Sequence, residues 1–157
     1  MFWWYIAGSI DRLVEMLGEL SEAELNWRPP APDSNSLFVL VTHTLANTEE
    51  NILGTLCGIA VRRTREAEFQ AYGPTPEPIQ QRWARLRAEV EAALGALAPE
   101  ALRTLRQHPR RGPITGREIL IVVARHAAEH LGQAELTRDL MKAALGEASG
   151  EGHVSTA

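Results

Sequence analysis

Residues 115–145 read TGREILIVVARHAAEHLGQAELTRDLMKAAL, and this stretch decides the fold. Thr115-Gly-Arg-Glu118 has the form of a capping box, in which the Thr hydroxyl and the Glu carboxylate satisfy backbone amides reciprocally at a helix start. No proline interrupts residues 116–145. Ile119, Val122/Val123, His126, His130, Gln133, Thr137 and Leu140 recur at helical spacing, so the segment reads as a helix to about Leu145. Its inward row is apolar at the start and polar in the middle.

Three more rows lie upstream. Ile79, Trp83, Leu86, Val90, Ala93 and Leu97 alternate by fours and threes in a helix starting near Thr75, with Pro76 suited to its first turn. Trp3, Ile6, Ile10, Leu13, Leu17 and Leu20 make a matching stripe at the N-terminus. Between them, Asn35 or Ser36 caps a helix running to about Gly58 or Ile59, with Leu37, Val41, Leu45, Ile52, Leu56 and Ile59 on one face. No segment alternates with period two and no Asn-Gly or Asp-Gly hairpin signal occurs, so the class is all-α, most economically a four-helix bundle. Each connection spans about 15 residues, against 2–8 for tight bundle turns. Such connections can run the length of a bundle, so simple up-down-up-down order is not required. Residues 1–146 read as a single domain, and the small, polar stretch 147–157 as a flexible tail.

Composition narrows the classes. With 45% hydrophobic and 23% charged residues in 157, the chain matches a soluble globular domain rather than a disordered one. A net charge of −4 argues against a nucleic-acid partner, which needs a basic face. One cysteine, Cys57, excludes an internal disulfide and a Cys-rich zinc knuckle; near a helix C-terminus it is also a poor nucleophile. The longest apolar stretch, from Phe2 to Ile10, is far short of the roughly 20 residues of a membrane span and lacks a basic leader. A cytoplasmic protein without a membrane partner is expected.

The chemistry concentrates on histidines. His126 and His130 stand at i and i+4, about 5–6 Å apart at Cβ, a spacing that suits two imidazoles on one metal. His43 is the third candidate: Val39, His43, Ala46, Glu50 and Leu53 form a second row on its helix, which implies burial on more than one face. The other reading is a core histidine satisfied by hydrogen bonds; if His43 is one, Glu50 or Glu129 would be the next third ligand. Asn47 and Gln133 are the expected polar wall able to orient a bound water or substrate, with Glu129 at the edge. His108 and His153 are expected to be solvated and uninvolved. Arg62, Arg63 and Arg65 read as a solvated run pairing with Glu66 and Glu68, or as an anchor for an anionic cofactor. Trp27 can line a pocket, whereas Trp83 sits on a core stripe. There is no Glu-x-x-His di-iron motif, no His-Glu-x-x-His, no P-loop and no Gly-x-Ser-x-Gly.

Leu25-Asn-Trp-Arg-Pro29, Asn35-Ser-Leu, His43 with Glu49/Glu50, Arg63-Thr-Arg65, Glu68-Phe69 and His126-Ala-Ala-Glu-His130-Leu-Gly-Gln133 with Arg138 occur in the order and spacing of the DinB/YfiT-like family, which the chain resembles over about residues 10–141. The resemblance implies a four-helix bundle of up-down-down-up order. It also implies one divalent metal ion (zinc, nickel, iron or manganese) held by His43, His126 and His130, commonly in a homodimer. Family members include S-transferases that use a low-molecular-weight thiol on a small-molecule substrate, so a metal-dependent thiol S-transferase or hydrolase is implied. The alternative is a non-catalytic, metal-binding or stress-associated dimeric bundle. The similar mycothiol-dependent maleylpyruvate isomerases carry Glu within the last-helix motif; this chain has His at both positions, so that activity is not implied.

Overall fold

The apolar rows fold as helices. The structure, a computed structural model, describes residues 2–150, with side chains as far as residue 146. Helix α1 (Phe2–Glu15) is followed by the short α2 (Glu22–Asn26). Then comes α3 (Leu37–Thr48), which continues directly into a π-helical segment, Glu49–Leu56. A one-turn helix, α4 (Arg65–Glu68), precedes α5 (Glu77–Gly95). A 3-10 turn (Pro99–Leu102) and the antiparallel strands β1 (Leu105–His108) and β2 (Gly112–Thr115) lead into α6 (Gly116–Gly150). The expected tail after residue 146 falls mostly outside the described residues, although α6 itself runs past the anticipated end near Leu145. Among the described residues, no helix is long and apolar enough to cross a membrane.

The fold is mostly helical rather than all-α. The hairpin corrects the all-α expectation, which rested on the absence of a two-residue Asn-Gly or Asp-Gly turn. Three residues, Pro109 to Arg111, join the strands instead, and Gly112 at φ +71° takes the left-handed conformation that lets β2 re-enter the ladder opposite His108. Gly116 then starts α6 where there is no room for a side chain. A Cβ there would lie 2.5 Å from the carbonyl oxygen of Ala101 and 2.7 Å from Leu56 Cδ1.

Caps set the helix starts. Ser36 accepts from the Val39 amide at 3.2 Å and opens α3. Thr115 and Glu118 form the anticipated reciprocal box, at 2.6 and 3.3 Å. A second box, Ser21 with Glu24, opens α2 inside the first long connection.

Packing then places the site. α6 lies against both α1 and α3, and α5 against α1, α3 and the π segment. Ile6, Ile10, Leu13 and Leu17 of the N-terminal segment are wholly buried, at roughly 1.5–3 kcal/mol each. Asp11 accepts from Trp83 Nε1 at 2.8 Å, and both its carboxylate oxygens accept from Arg87 Nη1, which ties α5 to α1. From Leu37 to Thr48 every residue of α3 is buried except half-buried Thr42, so this helix is enclosed on more than one face. The inward row of α6 differs from expectation. Ile119, Val123, Ala127, Leu131, Ala134 and Met141 face the core, whereas His126 and His130 sit half-buried at its margin, and Gln133 and Leu140 are exposed.

Candidate metal centre

Because α3 and α6 pack together, His43 meets the i,i+4 pair of α6. His43 Nε2 lies 3.1 Å from His126 Nε2, which lies 3.1 Å from His130 Nε2. One ring nitrogen from each residue falls within 4.8 Å of the other two. Two of the three outer nitrogens are held by oxygens. His43 Nδ1 donates to Glu68 Oε2 at 2.6 Å, and His130 Nδ1 pairs with Gln133 Oε1 at 2.7 Å.

Those partners decide the tautomers. With hydrogen on Nδ1 of His43 and His130, both rings turn a lone pair inward, and a single hydrogen on His126 Nε2 cannot serve both well. Three converging imidazole nitrogens of this kind are the donor set of a divalent cation. Nitrogens each about 2.1 Å from one ion stand about 3.1 Å apart when the angle between them is near 95°. The residues therefore fit the implied metal.

Electrostatics point the same way. Burial, reinforced by the neighbouring His130 and His43, holds His126 down to about 2, so it stays neutral. Burial likewise lowers His43 and His130, against the opposing bonds to Glu68 and Gln133. Burial alone would push the Glu68 carboxyl up, but the Arg63 and His43 hydrogen bonds outweigh it and hold it below the ordinary carboxylate range.

Behind His43 runs a line of alternating charge that spacing alone does not reveal. Arg63 donates to Glu68 through Nε at 2.6 Å and Nη2 at 2.8 Å, and to Glu50 through Nη1 at 2.8 Å. Arg110 of the hairpin turn closes on the outer side of Glu50. Arg63 and Glu68 side chains are only 5% and 7% exposed, so the expected solvated run holds for Arg62 and Arg65 but not for this pair. A signal was present: Val61, Ala67 and Phe69 interleave these charges, and Phe69 stacks against His43 with centroids 4.9 Å apart.

The remaining expected residues divide. Glu50 is engaged by two arginines and Glu129 by Arg125 at 3.2 Å, so neither joins the cluster. Asn47 is buried one turn after His43 and borders His126. Trp83 is a core residue, Trp27 is half-buried and borders none of the cavities beside the histidines, and Cys57 has its thiol pushed up by burial. His108, expected in solvent, is 2% exposed: its Nε2 donates to Asn51 Oδ1 at 2.7 Å and its Nδ1 accepts from the Arg110 amide at 3.0 Å. Strand pairing turns it inward onto the π segment. His153 lies outside the described residues.

The class so defined is a mostly helical protein with a half-buried cluster of three imidazoles able to hold a cation. The chain belongs to the DinB superfamily, whose model matches residues 5–134. A conserved protein from Enterococcus faecalis shares the fold at 20% identity, with a TM-score of 0.73 over 89% of this chain and 94% of that one. A DinB-like protein from Bacillus cereus ATCC 10987 shares it at 17% identity, with a TM-score of 0.65 over 92% of this chain and 88% of that one. No curated protein matches the sequence.

Proposed function

We propose that the chain holds one divalent metal ion through Nε2 of His43, His126 and His130. In this reading it is a metal-dependent enzyme acting on a small molecule, as a low-molecular-weight-thiol S-transferase or a hydrolase. One observation carries the reading: three Nε2 atoms converge while Glu68 and Gln133 hold the outer nitrogens of two rings. When bound, such an ion supplies Lewis acidity that brings the pKa of a water or thiol toward neutrality.

The chain's own residues prepare that chemistry. Glu68, clamped in two places by Arg63, fixes the ring plane of His43 and makes its Nε2 more basic. Gln133 does the same for His130 without adding charge. Phe69 covers one face of His43 and keeps water from it. No protein nucleophile is needed. Four long helices in up-down-down-up order, a homodimer and a cytoplasmic location belong to the same reading.

Turnover assays separate the possibilities. Metal-loaded protein is offered small electrophiles with and without a low-molecular-weight thiol. Turnover only with thiol supports S-transfer, turnover without it supports hydrolysis, and none across both panels contradicts the enzymatic reading.

A further inference from the structure

Two of the three imidazoles have an oxygen behind them; His126 has none. Its Nδ1 is buried and without a hydrogen-bond partner among the described residues, and so is Oδ1 of Asn47, a residue 8% exposed. Both residues line one cavity of about 50 Å³, lined also by Asn51, His108, Val122 and the arginines Arg110, Arg111 and Arg125. The two atoms are chemically complementary. If Nε2 of His126 turns a lone pair to the ion, Nδ1 must carry the hydrogen, whereas an amide oxygen only accepts.

We propose that a buried water in this cavity accepts from His126 Nδ1–H and donates to Asn47 Oδ1, which makes Asn47 the positioning residue of the third imidazole. The inference rests on the metal-binding reading, since it is the ion that fixes the tautomer. A buried water needs about 10–15 Å³ and two to four polar partners; the cavity has the volume, and Asn47, Asn51, His108 and His126 bring polar side chains to its lining. Two of its lining residues are held in place. Asn51 Nδ2 donates to the Asn47 carbonyl at 2.8 Å, while Asn51 Oδ1 receives His108 from the hairpin. The helix that delivers His43 thus also carries, one turn on, the acceptor for His126. Metal-bound histidines almost always give their second N–H to an oxygen, and a water relayed by Asn47 completes that set.

The test uses the full chain loaded with zinc. Asn47→Leu removes the acceptor at similar volume and should weaken zinc binding about 10- to 100-fold in a chelator competition. Asn47→Asp, which keeps an acceptor oxygen, should stay within a few-fold of wild type. Ring ¹⁵N spectra should change at His126 in the Leu variant and not at His43 or His130, which a merely structural loss would not produce. Unchanged affinity and an unchanged His126 spectrum in Asn47→Leu overturn the proposal. Should that variant not fold, a high-resolution crystal structure of the wild type decides: water within hydrogen-bond distance of both atoms supports it, and density for none overturns it. Wild-type protein that takes up no zinc overturns the metal reading itself.

Discussion

Removing Glu68 should damage both stability and metal affinity, and by amounts the structure sets. Its buried carboxylate takes two hydrogen bonds from Arg63 and one from His43. In Glu68→Ala the Arg63 guanidinium, 5% exposed, keeps its Glu50 hydrogen bond and a 3.4 Å approach of Nη2 to His43 Nδ1, and His43 Nδ1–H loses its carboxylate acceptor. Breaking a buried pair by deleting one partner costs about 3–5 kcal/mol. Glu50 remains in place, so the lower figure applies, and for a chain of this size about 3 kcal/mol is a fall of about 6–12 °C in Tm. Metal affinity should drop about 10- to 100-fold because the His43 ring loses its orientation. Glu68→Gln should recover part of the affinity, since an amide oxygen can still accept from His43, but little of the stability, since its NH₂ faces Arg63. Urea unfolding of the metal-free protein and a chelator competition measure the two effects separately. If Glu68→Ala unfolds within about 1 kcal/mol of wild type and binds metal equally well, the charge line behind His43 does not support the site.

The metal-free protein should lose stability as pH falls from 7 to 5. The fold lowers His126 to about 2 and lowers His43, His130 and His108 from their ordinary value, whereas the unfolded chain takes up protons near 6.5, so acid favours unfolding. His126 alone accounts for ~2 kcal/mol at pH 5, read from urea unfolding at each pH. Chelation should leave the helical circular dichroism intact, because the apolar core closes without an ion, while saturating metal raises Tm by linkage. His108→Ala should lower stability by about 1–3 kcal/mol through the orphaned Asn51 oxygen while leaving metal content unchanged. Elemental analysis and thermal melts of that variant check both halves.

Legibility in the sequence tracks the strength of local signals. The α1 and α5 stripes, the Thr115 box and Ser36 at its cap depend on neighbours within a turn and appear where spacing places them, except that α1 stops at Glu15, before Leu17 and Leu20, and α5 at Gly95, before Leu97. His126 and His130 share a face by helical period alone. His43 is legible only as a polar position on a helix wrapped in apolar residues, and packing of α3 on α6 is needed to bring it to the pair. Glu68 and Arg63 read as solvated because a charged loop normally lies in water; the interleaved apolar residues are the weak signal against it, and the fold brings Glu68 of α4 and the preceding Arg63 together behind His43. The hairpin escapes a sequence reading because its strands are four residues each, and with it the burial of His108. The π segment gives no sequence signal of its own.

Metal content of the purified chain and of its histidine variants tests the central claim most directly. Wild type should carry about one divalent ion per chain, His126→Ala and His130→Ala none above background, and His43→Ala a remnant that a mild chelator strips, all with helical circular dichroism retained. Full occupancy in His126→Ala or His130→Ala, or a wild-type protein that stays metal-free after reconstitution, would contradict the three-histidine centre.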